Sequence, residues 1–153
     1  MTDYAQFLQA LEKKRQAVIF IVEGFNFTVN RIDWENLSTG LTKRDPDLME
    51  RLSALNDRFA KLQDLTGGLM KHWMLANGLA ADDFRLVISA MEKHQLIDSA
   101  DLWRAIRLMR NDAAHEYDID VAFQQNYFNE VHRLGSLMCD WANRVIKWTE
   151  NKA

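Results

Sequence analysis

Between Arg107 and Tyr117 the chain reads Arg-Leu-Met-Arg-Asn-Asp-Ala-Ala-His-Glu-Tyr, which brings Arg110, Asn111, His115 and Tyr117 within eight positions. These side chains suit work on an RNA phosphodiester. A histidine of near-neutral pKa, His115, takes the proton of a ribose 2′-hydroxyl or returns one to the leaving oxygen. The guanidinium fork of Arg110 holds the phosphate and stabilises charge that develops on it, and the amide of Asn111 orients either partner. When the 2′-hydroxyl is the nucleophile, this chemistry needs no metal and no cofactor. Arg104 and Arg107, each three residues before the next arginine, offer further phosphate contacts. Helical drift spreads the three over a wedge, and a solvated face with ion pairs to Asp101 or Asp112 explains them equally well.

Helix geometry constrains how the segment can act. Asn111 and His115, four apart, share a face; Arg110 and Tyr117, seven apart, share another. Arg110 and His115 diverge by roughly 140° on a straight helix. A site using both requires a helix break near Ala114 or a second copy of the motif. The plain structural reading stays open beside it: His115 hydrogen-bonded at a helix end, with Arg110 in a surface salt bridge.

The elements that must position this segment are helices. Tyr4, Leu8, Leu11, Val18, Val22 and Phe25 follow three-four spacing, with Arg15 as the polar interruption. Asp45-Pro46 opens a second helix, whose stripe runs Leu48, Leu52, Leu55, Phe59, Leu62, Thr66, Leu69 and Trp73. Gly67-Gly68 interrupts it, and a bend or a close helix contact is expected there. Asn77-Gly78 ends it. Asp82 or Asp83 opens a short helix with Phe84, Val87, Ile88 and Met91 inward, and Asp98-Ser99 caps the next, carrying Leu102, Ile106 and Met109. Asp118 and Asp120 read as helix-capping residues. After them Tyr127, Val131, Leu134, Met138, Trp141, Val145 and Trp148 repeat the spacing. The expectation is an all-α chain, an antiparallel four-helix bundle with an additional short helix, forming one domain over residues 1–153. Residues 28–44 show no clean period and read as a long connection or a short extra helix.

Composition narrows the functions. At 153 residues the chain can bury a core without staples, and its single Cys139 excludes an internal disulfide framework. Cys139 lies one residue off the apolar stripe and reads as structural. His72, His94, His115 and His132 are about 20 residues apart and form no zinc-ligand spacing. The Gly67-Gly68 pair lacks the Lys-Ser/Thr of a phosphate loop. Nineteen Lys plus Arg against 22 Asp plus Glu give a net charge of −3, which argues against coating nucleic acid and for meeting a phosphate in a confined pocket. The polar start, Met1-Thr2-Asp3, and the lack of an apolar run near 20 residues point to a cytoplasmic chain without leader or membrane span.

The pattern Arg110-Asn111-x3-His115-x-Tyr117 resembles the Arg-x4-6-His signature of HEPN domains, in the Arg-x4-His-x-Tyr form of HepT toxins. The stretch Arg58-Phe59-x-Lys61-Leu62-Gln63-Asp64 and the run 102–117 are similar to HepT-like proteins encoded beside small nucleotidyltransferases. The resemblance covers roughly residues 45–150. It implies an α-helical bundle that forms a homodimer and faces two motifs across a cleft, which would bring Arg110 and His115 into one composite site. It implies a metal-independent endoribonuclease with RNA as substrate, held in check by a cognate MntA-like nucleotidyltransferase antitoxin that transfers AMP onto Tyr117. An anionic adduct there would block phosphate entry. The rival reading is a non-catalytic HEPN subunit that binds substrate for a two-component nucleotidyltransferase.

Overall fold

The computed structural model describes residues 3–110 and 117–150, and among them the chain is all-helical. Six helices follow one another: α1 (Asp3–Val29), α2 (Leu37–Lys43), α3 (Pro46–Ala76), α4 (Phe84–Lys93), α5 (Ala100–Arg110) and α6 (Val121–Glu150). The long helices α1, α3 and α6 pack on one another, and α4 and α5 pack against α3. The 28–44 stretch, which the sequence leaves without a period, contains the short helix α2. Trp34 fastens this stretch: its indole N–H donates to the Val29 carbonyl at 3.1 Å, and its ring stacks on His132 of α6 at 4.2 Å. Partial burial holds the His132 pKa below its usual value.

The expected stripes form the core. Leu52, Leu55, Phe59, Leu62 and Leu69 of α3 are fully buried against Val18 and Phe25 of α1 and Val131, Trp141 and Val145 of α6. Tyr4 departs from its expected place and is largely exposed. Phe84 also departs: it is 37% exposed, while Trp103 takes the buried position on α5. Cys139 is buried among apolar groups, and this burial, then the neighbouring Asp140 carboxylate, pushes its thiol up to about 12. It is a packing residue, not a nucleophile.

The polar residues in these stripes have specific structural partners. Arg15 donates to the Thr149 carbonyl at 2.7 Å and to Thr149 Oγ1 at 3.2 Å, and its other arm pairs with Glu12. It therefore closes the C-terminal carbonyls of α6, where a cation is favoured. Asn56 accepts from the Tyr127 hydroxyl at 2.7 Å. The Asp98-Ser99 pair divides its work. Ser99 Oγ accepts from the Leu102 amide and caps α5. The Asp98 carboxylate instead receives Arg144 at 2.8 Å and the Trp141 indole at 2.9 Å, which tie α6 to the α4–α5 turn. Those two bonds, Arg144 first, hold the Asp98 carboxyl below its ordinary range.

The two glycines of α3 serve different ends, and the helix runs through both without interruption. A methyl group at Gly67 would lie 2.9 Å from the Phe84 ring and 3.4 Å from Trp103, so a side chain here would collide with α4 and α5. A methyl group at Gly68 would meet nothing within 4 Å. Gly68→Ala should therefore gain about 0.5–1 kcal/mol from lost backbone entropy alone, raising the melting temperature by about 1–4 °C. An unchanged or lower melting temperature would contradict this account of Gly68.

Candidate functional site

The arginine end of the motif is built by α5 leaning on α3. Gln63, on the buried stripe of α3 and only 1% exposed, donates its amide N–H to the Trp103 carbonyl at 2.8 Å. Its amide oxygen then accepts from Arg110 Nη1 at 3.2 Å. One position on, Asp64 receives Arg110 in a two-point contact, Nη1 to Oδ1 at 2.6 Å and Nη2 to Oδ2 at 2.9 Å. The Arg110 side chain is 13% exposed and its plane is fixed by three bonds.

Counting protons on the guanidinium shows what remains for a ligand. Both Nη1 protons and one Nη2 proton are engaged by Gln63 and Asp64. The Nε–H and the second Nη2–H, which form the other two-donor edge of the fork, meet no acceptor among the described residues. That edge matches two oxygens of a phosphate. Asp64 thus orients Arg110 without using that edge. Arg107, more exposed, reaches the same Asp64 oxygen at 3.5 Å, while Arg104 pairs with Asp101 at 2.7 Å. The Asp101 pairing is one the sequence offered for these arginines. The Arg110 salt bridge is what the plain structural reading of the motif expected, although its partner comes from α3.

Asn111 and His115 lie outside the described residues, as do Asp112, Ala113, Ala114 and Glu116. Tyr117 is described and is 72% exposed, with its ring open to solvent. It lines a depression of about 240 Å³ with Arg44, Thr42 and Met49. Arg104 and Arg107 line a different groove, so the structure does not set Tyr117 beside them. Arg44 is held there by its left-handed backbone, φ 51°, at the C-terminus of α2. Asp120 behaves as the expected cap, accepting from the Phe123 amide at 3.2 Å where α6 opens, whereas Asp118 accepts from the Asp120 amide at 2.8 Å and shapes the turn ahead of the helix.

The three described histidines pack on aromatic rings. His72 lies 5.4 Å from Phe7 and contacts its carbonyl, His94 lies 5.3 Å from Trp148, and His132 stacks on Trp34. Among the described residues no helix is long and apolar enough to cross a membrane, and no group of three or more His, Cys, Asp and Glu is placed to hold a metal.

The roles of Gln63 and Asp64 were not assigned from the sequence, though one signal was present. Gln63 stands four residues after Phe59 and three before Thr66, so it puts a polar amide on the buried stripe. Such a group has to find hydrogen-bond partners inside. Arg58, in the same stretch, has a different use, pairing with the Gly24 carbonyl at 3.1 Å and the Thr28 hydroxyl to hold α3 to α1. No protein-family model, curated protein or solved structure matches this chain.

Proposed function

We propose that this chain is a HepT-like toxin: a metal-independent endoribonuclease that acts as a dimer and is silenced when a partner nucleotidyltransferase adenylylates Tyr117. His115 serves as acid and base, Arg110 as phosphate clamp and Asn111 as orienting group. The observation that carries the reading is the fixed Arg110 guanidinium, held by Gln63 and Asp64, with its second edge unpaired among the described residues. A pre-oriented cation costs no reorganisation when charge develops on the phosphate. Tyr117 supports the regulatory half, because a hydroxyl on so exposed a ring is open to a second enzyme. Arg44 in the same depression supplies a cation within reach of an added phosphate.

The test is RNA cleavage in excess chelator. Wild-type protein should degrade single-stranded RNA to fragments ending in 2′,3′-cyclic phosphate or 3′-phosphate, and His115→Ala should lose this activity while keeping its helical circular dichroism and its oligomeric state. Undiminished cleavage by that variant removes His115 from the mechanism. A second reading, a non-catalytic subunit that presents substrate to a nucleotidyltransferase, draws on the ion pairs that already occupy Arg104, Arg107 and Arg110. Purified protein that never cleaves RNA, yet gains AMP on Tyr117 when mixed with its partner, would select it.

A further inference from the structure

Between α4 and α5 lies a groove of about 490 Å³, a volume ordinary for a small-ligand site. Its floor is aromatic and aliphatic: Phe84, Ile88, Trp103 and Leu108. The Phe84 and Trp103 rings stand 6.4 Å apart at an interplanar angle of 42°, with Phe84 partly open to solvent. Gly67 makes this floor possible, since a side chain there would push Phe84 away. The rim is cationic, with Arg85, Arg104 and Arg107 around the apolar floor.

Among the described residues the charges on this rim are unevenly paired. Arg85 is matched by Asp83, and Arg104 by Asp101. Among the described residues, Asp64 is the carboxylate that faces both Arg107 and Arg110, and its closer bonds go to Arg110. The exposed Arg107 is thus the loosely paired cation of this rim, 3.5 Å from a carboxylate that Arg110 already holds. An apolar, partly aromatic slot beside an exposed, loosely paired guanidinium fits a planar ring that carries a phosphate. A two-fold contact between copies through this groove would instead set each arginine rim against its own image.

We infer that this groove is a nucleobase subsite: one unpaired base of an RNA strand stacks on Phe84, its phosphate lies on Arg107, and the strand continues to Arg110. This rests on the nuclease reading above and extends it, by assigning the nucleotide next to the cleaved bond a place on α4 and α5. The base is gripped by its face, so the subsite tolerates any sequence and demands a single strand.

Binding of labelled 2′-O-methyl oligomers, which cannot be cleaved, tests the subsite apart from catalysis. Wild-type protein should bind a base-bearing hexamer about 10-fold or more tighter than an abasic hexamer with the same phosphates. Phe84→Ala should weaken the base-bearing oligomer to the abasic level, and Phe84→Trp should restore the difference. Arg107→Gln should weaken both oligomers and flatten the salt dependence. Equal affinity of the two oligomers for wild-type protein overturns the inference, as does a base preference that survives Phe84→Ala. A change of sedimentation in Phe84→Ala with oligomer binding intact overturns it too, and assigns the groove to a contact between copies. The two readings fail separately. Phe84-dependent base binding in a protein that cleaves no RNA leaves the groove and removes the nuclease, whereas cleavage without base preference does the reverse.

Discussion

Arg110→Lys is expected to lower RNA cleavage by about 10²–10³-fold, the usual cost of removing one oriented donor from a developing anion. Lysine keeps the charge, so a mere need for positive potential at this position would leave the activity nearly intact. The geometry argues otherwise. The guanidinium spends three protons on Gln63 and Asp64 and has two more on a rigid edge that no described residue engages, whereas an ammonium has three protons in all and no plane to fix. A lysine that keeps both contacts with Asp64 has one proton left, and even with one contact its tetrahedral head has no planar edge to match a phosphate. The fold should survive. The Asp64 carboxylate is half exposed, so weakening its pair costs stability only modestly, about 1 kcal/mol and a few degrees in melting temperature. Asp64→Asn, which keeps one acceptor and removes the charge, should fall between wild type and Arg110→Lys. Cleavage by Arg110→Lys within about threefold of wild type, at equal protein stability, would show that charge alone is used here and that the fixed fork is incidental.

Gly135→Ala should destabilise the protein by about 2 kcal/mol, lowering the melting temperature by about 4–8 °C. Gly135 lies on the buried face of α6, and the position a methyl group would take is already filled by the ring of Phe25 from α1. Phe25 is itself fully buried, so the ring has no free space to turn into. Overpacking of this kind costs about 1–3 kcal/mol and occasionally more, and it must exceed the roughly 1 kcal/mol that alanine brings to a helix interior. Gly68→Ala is the control, because it has the helical gain without the collision. Adding Phe25→Leu should recover part of the loss at Gly135, since the smaller side chain vacates the contested space and the two sites are coupled. A Gly135→Ala protein as stable as wild type would mean that α1 and α6 are packed more loosely than the structure shows.

Much of this architecture was readable residue by residue. The three-four stripes of α3 and α6 became buried faces almost in full, since a helix reports its inner side through a periodicity of its own backbone. Caps were legible in part: Asp45, expected as an N-cap acceptor before Pro46, starts α3 without a side-chain capping bond. Asp83, Ser99 and Asp120 each accept from an amide at the start of the helix they precede. Misplacements came at ends and edges. Tyr4 and Phe84 have the right spacing for burial, yet Tyr4 is largely exposed and Phe84, packed on Trp103 and over Gly67, keeps part of its ring open. The motif was legible as a set of residue types, and Arg110 and Tyr117 stand where it put them, at the end of α5 and before α6. Arg15 illustrates the opposite limit. Its place in an apolar stripe was plain, but its reason, the C-terminus of a helix 134 residues away, was not.

The sequence by itself determined that the chain is helical, which faces of its long helices turn inward, and which residue types stand together in the motif. These properties are carried by neighbours within one or two turns. Only the tertiary structure decided that Asp64 and Gln63 hold Arg110, that one carboxylate faces two arginines, and that Gly67 gives Phe84 and Trp103 room to form the floor of a groove. Those contacts join residues about 20 to 50 positions apart. They depend on how each helix is rotated and shifted against the next, which the packing of whole faces sets and no local spacing records.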